Sequence, residues 1–96
     1  MREIFVWREV NNLLWQKLEK VHYDKVRDKL FRQLENDYEK LRKKRHPDDE
    51  TLFVCWVHLP EGNNWHSFEF RVDDTMTDSH LFVVGVRYHL GRMRFR

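Results

Sequence analysis

Residues 9–46, EVNNLLWQKLEKVHYDKVRDKLFRQLENDYEKLRKKRH, decide the fold. Leu14, Leu18, His22, Val26, Leu30, Leu34, Tyr38 and Leu41 recur at steps of three and four, with Val10, Val21 and Phe31 beside them. That spacing lines one face of a helix, and Lys, Arg, Glu and Asp occupy the other. Neither Gly nor Pro interrupts the run before Pro47. The stretch predicts one long helix. Asn11 or Asn12 is the expected N-cap, because a short amide can accept an orphan backbone N–H. The apolar pattern slips in phase near Val21–Tyr23, which leaves a kink or a division into two helices as the alternative.

A helix continuous to Arg45 would be roughly 50 Å long. Strands of about eight residues reach only some 27 Å, roughly half as far. Such a helix cannot bury its whole apolar stripe on such a sheet. Either it folds back on itself, or its overhang meets another chain, and a homodimer or a protein partner is expected on that ground.

Upstream, Glu3-Ile4-Phe5-Val6-Trp7-Arg8 is β-branched and aromatic and predicts a short first strand. Downstream, Arg42-Lys43-Lys44-Arg45 ends the helix on positive charge that complements its dipole, and Pro47 stops it. Asp48–Glu50 reads as a connector. Leu52–Leu59 is apolar on both faces, and Trp65–Val72 alternates strictly. Between them Pro60–Asn64 is a turn in which Gly62 and Asn63 tolerate positive φ, so the three segments form a hairpin. Asp73–Ser79 is a loop and His80–Leu90 a further strand. After Gly91, Arg92–Arg96 is a short last strand or an extended tail. The order β-α-β-β-β makes residues 1–96 a single α+β domain. It comprises a short N-terminal strand, one long helix and a three- to four-stranded antiparallel sheet packed on that helix.

Period-two alternation divides the sheet into two surfaces. Phe53, Cys55, Val57, Leu59, Phe68, Phe70, Val72, Phe82, Val84 and Val86 make an apolar face for the helix. Val54, Trp56, His58, Trp65, Ser67, Glu69, Arg71, Leu81, Val83, Arg87 and His89 make the other. Aromatic rings mixed with Arg and His suit a platform on which bases stack while cations hold phosphates. The alternative is that Trp56 and Trp65 pair across the hairpin and the arginines are simply solvated.

Composition narrows the class. The 96 residues are 41% hydrophobic and 15% aromatic, with four Trp and no Ala, which is enough for one modest core and unlike a disordered chain. The lone Cys55 excludes an internal disulfide and a Cys-based zinc cage. Its hydrophobic setting suggests an inert thiol in a reducing, cytoplasmic compartment. No apolar stretch approaches the ~20 residues of a membrane span, so no membrane partner is expected. The net charge of +2 is segregated. Residues 1–39 balance eight basic against eight acidic side chains, and residues 40–45 then add five positives with no acid. Residues 46–86 set eight acids against Arg71 alone, and the tail adds Arg87, Arg92, Arg94 and Arg96. Two basic clusters on a nearly neutral chain point to an anionic partner.

The six histidines lack a helical His pair, and Asp73, Asp74 and Asp78 lack the Gly and terminal Glu of a calcium loop. There is no Walker motif, dinucleotide fingerprint or nucleophile elbow, so neither metal nor cofactor is expected. Val86-Arg87-Tyr88-His89 resembles the final strand of RelE/YoeB-type messenger-RNA interferases, whose order is also strand, helices, then antiparallel strands. The resemblance covers about a third of the chain. It departs from the family where uninterrupted helix replaces a Gly-rich loop and where Leu90 replaces an aromatic. It implies that Arg71 and Arg87 hold phosphate while His89 transfers protons.

The first expectation is therefore a small non-catalytic binding protein, an accessory or inhibitor module that engages RNA, DNA or a nucleic-acid-handling protein. Its contact residues would be Arg42, Lys43, Lys44, Arg45, Trp56, Trp65, Arg71, Arg87, His89, Arg92, Arg94 and Arg96. The second expectation is a protein–protein module that uses the long helix and touches no nucleic acid. The third is the ribonuclease implied by the resemblance.

Overall fold

The computed structural model describes residues 2–92. Arg94, Arg96 and the tail strand expected around them lie outside the described residues. In chain order the elements are β1 (Glu3–Val6), α1 (Arg8–Lys17), α2 (Lys20–Asn36), α3 (Tyr38–Leu41), β2 (Arg45–His46), β3 (Asp49–Glu61), β4 (Asn64–Asp73) and β5 (His80–Arg92). The class is α+β, as the sequence indicates, but the sheet has five strands in the order β1-β5-β4-β3-β2. Two additions correct the expected three to four antiparallel strands. Arg45–His46 extends the sheet beyond β3, and β1 lies parallel to β5. A parallel pair needs a long crossover, which the helices and the antiparallel strands between β1 and β5 supply.

The single long helix is also corrected. It divides at Leu18 and Glu19, both extended, and again at Asp37. No Gly or Pro causes the first break; packing does. Leu18 leaves the helix but keeps its side chain in the core, only 7% exposed. Across the break Trp15 stacks on Tyr23, with ring centroids 4.3 Å apart and planes 17° from parallel. The Tyr23 hydroxyl donates to Asn11 Oδ1 at 3.1 Å. Asn11 is thus engaged with the second helix instead of capping the first, which begins at Arg8 with Trp7 in the cap position. The 17 residues of α2 rise about 26 Å, and the 13 of β3 extend about 43 Å. The helix is now shorter than the strand it covers, so the overhang that argued for a homodimer does not exist.

Val10 and Leu14 of α1 and Tyr23, Val26, Leu30 and Leu34 of α2 enter one core with the expected residues of β3 and β4. On β5 the expected face is wrong for half the strand. Leu81 and Val83 are buried, while Phe82 and Val84 turn outward. The cause is a β-bulge: Arg71 pairs with Gly85 but Val72 pairs with Val83, leaving Val84 as an extra residue. The side-chain alternation slips by one there, and Val86 and Tyr88 return to the core side.

Two local features position the outer surface. The hairpin turn is the two-residue loop Gly62–Asn63 between the paired Glu61 and Asn64. Only Gly62 takes positive φ, at 59°, the pattern of a type II′ turn with Gly first. On the opposite side β2 ends beside Phe53, which leaves the rest of β3 as a sheet edge. Helix α2 guards that edge. Lys29 Nζ donates to the His58 carbonyl at 3.0 Å and Gln33 Nε2 to the Trp56 carbonyl at 2.9 Å. Gln33 Oε1 in turn accepts from the Cys55 thiol at 3.4 Å.

Candidate functional site

The strand register sets the outer face of the sheet as a grid. Its successive rows are Val54–Arg71–Gly85, Trp56–Glu69–Arg87, His58–Ser67–His89 and Pro60–Trp65–Gly91. Arg71, Arg87 and His89, which the interferase resemblance singled out, therefore share one surface in three consecutive rows. The Arg71 stem lies over Gly85, where a Cβ would meet Arg71 Cδ at 3.5 Å, an ordinary contact. Arg71 Nε lies 3.6 Å from Glu69 Oε1 and is a buried donor with no hydrogen-bond acceptor among the described residues. Arg87 is exposed, directly across from Glu69.

The basic run is not the last turn of a helix, as expected, because α3 ends at Leu41 and the chain turns out to β2. What draws it there is Asp74, whose side chain is 3% exposed. Arg45 donates N–H bonds from both terminal guanidinium nitrogens, Nη1 and Nη2, to its carboxylate, at 2.7 and 3.1 Å. The Tyr38 hydroxyl adds a third bond at 2.8 Å, and Arg2 Nη1 donates to the Asp74 carbonyl at 2.7 Å. Burial pushes the Asp74 carboxyl up, but the bonds from Arg45 and Tyr38 and the charges of Arg45 and Arg2 outweigh it, so it titrates below the usual range. The same carboxylate raises Arg45, against desolvation. Arg42 lies over the Tyr38 ring at 5.5 Å and reaches Glu39 at 3.4 Å. Two of the four predicted cations of this run are thus engaged within the fold. Lys43 and Lys44 are exposed and, with Lys40, form no ion pair among the described residues.

Between this turn and the sheet face runs a groove of about 710 Å³. Lys40, Lys44 and Arg45 of the basic run and Arg71 and Arg87 of the sheet line it together with Trp56. Asp48 and Glu69 are its only acids among the described residues. A second hollow of the same volume, beside Arg2, Tyr38 and Leu81, has Arg2 and Arg42 against Glu35, Glu39 and Asp78. Equal size with opposite charge balance decides between them: the first concentrates positive potential where a phosphate could enter. Lys40 and Glu69 were not among the predicted site residues. The Lys40-Leu41-Arg42 spacing held the signal for the first, since Lys40 shares the basic run.

From Trp56 a row of rings continues across the face. Trp56 and His58 stand 5.9 Å apart with planes 10° from parallel, and His58 and Trp65 are 5.7 Å apart at 27°. His89 approaches Trp56 at 6.3 Å. The expected alternative, a direct Trp56–Trp65 cross-strand pair, does not form: Trp56 is opposite Glu69 and Trp65 opposite Pro60. Trp56 and Trp65 remain 42% and 36% exposed.

At the far end of the hairpin His22 Nδ1 and His66 Nε2 approach one oxygen of Glu61 at 2.9 and 3.3 Å. His66 Nδ1 lies 2.6 Å from the Tyr88 hydroxyl. This cluster ties the turn to α2. Among the described residues no group of three His, Cys, Asp or Glu side chains is arranged to hold a metal ion, and no helix is long and apolar enough to cross a membrane. Compared with known proteins, the chain matches no family model, no curated protein and no solved structure.

Proposed function

We propose that the chain is a small binding module for nucleic acid, which it holds by the phosphates in the groove beside Trp56. One observation carries this reading. Cations from two stretches far apart in sequence, Lys40 and Lys44 on one side and Arg71 and Arg87 on the other, converge on one exposed indole. Each of these cations is placed where a phosphate could replace water without displacing an internal partner, except that Arg71 has Glu69 nearby. The rival reading, capture of a protein by an overhanging helix, loses its support because the helix does not overhang. The accessory or inhibitor role belongs to this proposal only as a consequence of binding.

The test is fluorescence anisotropy of labelled single-stranded RNA and of duplex DNA, titrated with the protein at several salt concentrations. We expect micromolar or tighter binding of at least one. Four phosphate contacts predict that the logarithm of affinity falls with the logarithm of salt with a slope of about −3 for the single strand and about −3.6 for the duplex. No binding of either probe at low salt would refute the proposal. The RNA recovered from the same samples distinguishes binding from the interferase reading: shortened RNA, lost on His89→Ala, would replace the first by the second.

A further inference from the structure

We infer that the ligand of this groove is single-stranded nucleic acid, with unpaired bases laid on the rings of Trp56, His58 and Trp65. The inference rests on the nucleic-acid reading and goes beyond it, because phosphate contacts alone do not distinguish one strand from two.

The rings argue for it by their arrangement. Three of them follow one another at 5.9 and 5.7 Å with planes 10° and 27° from parallel, so bases placed on successive rings would keep a common orientation. Trp56 both lines the groove and begins the row. A strand whose phosphate enters between Lys44 and Arg87 would therefore bring its next base over the indole. The surroundings are low. Ser67 and Gly91 occupy the central and outer strands beside His58 and Trp65, and neither stands above a base. His58 is held in place by the contact of its Nδ1 with Ser67 Oγ at 2.8 Å, so part of the surface is organised before the ligand arrives.

A duplex could not use these rings. Its base faces are covered by stacking inside the helix, and only backbone and groove edges reach a protein. Single strands offer every base face, and aromatic platforms bind them with little sequence preference. The rigid sheet, the exposed indoles and the adjoining cations together suit the second ligand and would be wasted on the first.

The experiment compares three labelled polyanions, a twelve-residue oligothymidylate, a duplex of the same length with its higher charge density, and heparin, which is highly charged but has no bases. Each is titrated against the native chain, Trp56→Ala and Trp56→Phe. We expect the native chain to bind the single strand about tenfold more tightly than the duplex, with quenching of tryptophan emission. Trp56→Ala should lose about tenfold for the single strand and little for heparin, and Trp56→Phe should restore most of it. Far-UV circular dichroism and the melting temperature of each variant show whether it is folded. Equal losses for all three probes, or no loss for the single strand, would overturn the inference while leaving the phosphate-binding groove intact. No binding of any probe would overturn both.

Discussion

Arg45→Met lowers the stability of the fold by about 3–5 kcal/mol at pH 7, the cost of leaving a buried charge without its partner. In a chain of this size that is more than about 10 °C in melting temperature. The loss is large because Asp74 cannot reach water: its side chain is 3% exposed, and Arg45 supplies two of its hydrogen bonds. The pH dependence identifies the cause. In the native chain the folded Asp74 carboxyl titrates below the unfolded one. Its contribution is therefore fully present above the ordinary value of about 3.9 and is lost as pH falls through the lowered one. In the variant, burial is no longer outweighed and the carboxyl moves up, so acid relieves the penalty by protonating it. Urea unfolding at pH 7, 5 and 3 should show the difference between the two chains shrinking toward low pH. A difference under about 1 kcal/mol at pH 7 would mean that Asp74 is not the anchor of the basic turn.

Reversing charge on the two sides of the groove tests function without touching that anchor. Lys44→Glu combined with Arg87→Glu should weaken nucleic-acid binding about 100-fold, a tenfold loss or 1.4 kcal/mol for each phosphate contact. The salt slope should fall in magnitude by about two. Both side chains are exposed, and the main cost is the second carboxylate that Arg87→Glu sets across from Glu69, so stability should fall by no more than about 1 kcal/mol. Unchanged affinity would place the site elsewhere. A larger loss from Arg92→Glu with Arg94→Glu would assign it to the tail.

What the sequence conveyed and what it did not have physical explanations. The alternation in Trp65–Val72 and the apolar run of Leu52–Leu59 set the hairpin, because a half-buried strand tolerates only one phase. The outer positions of Trp56, Arg71, Arg87 and His89 followed from the same count. That count failed on the first half of β5, where one inserted residue, Val84, reverses the phase and no residue type announces it. The helix break at Leu18 is signalled only by the phase slip near Val21–Tyr23, a few residues downstream, and no residue type marks its position. It arises from a competition between local helix propensity and the burial of one leucine together with the Trp15–Tyr23 stack, and tertiary packing prevails. The convergence of the basic turn on the sheet face depended on Asp74, which the sequence presents as one of several loop acids. Its partner is 29 positions away, a distance over which no periodicity carries information.

The thiol of Cys55 lies under α2 at the middle of β3, fully enclosed. Burial, with some help from Asp37, pushes it up to about 12, so at neutral pH it is neither ionised nor accessible. An alkylating reagent can then reach it only when the helix lifts from the sheet. The one cysteine of this chain is thus an internal clock: its modification rate counts openings of the core, and a ligand held on the Trp56 indole would slow it from the opposite side of the sheet.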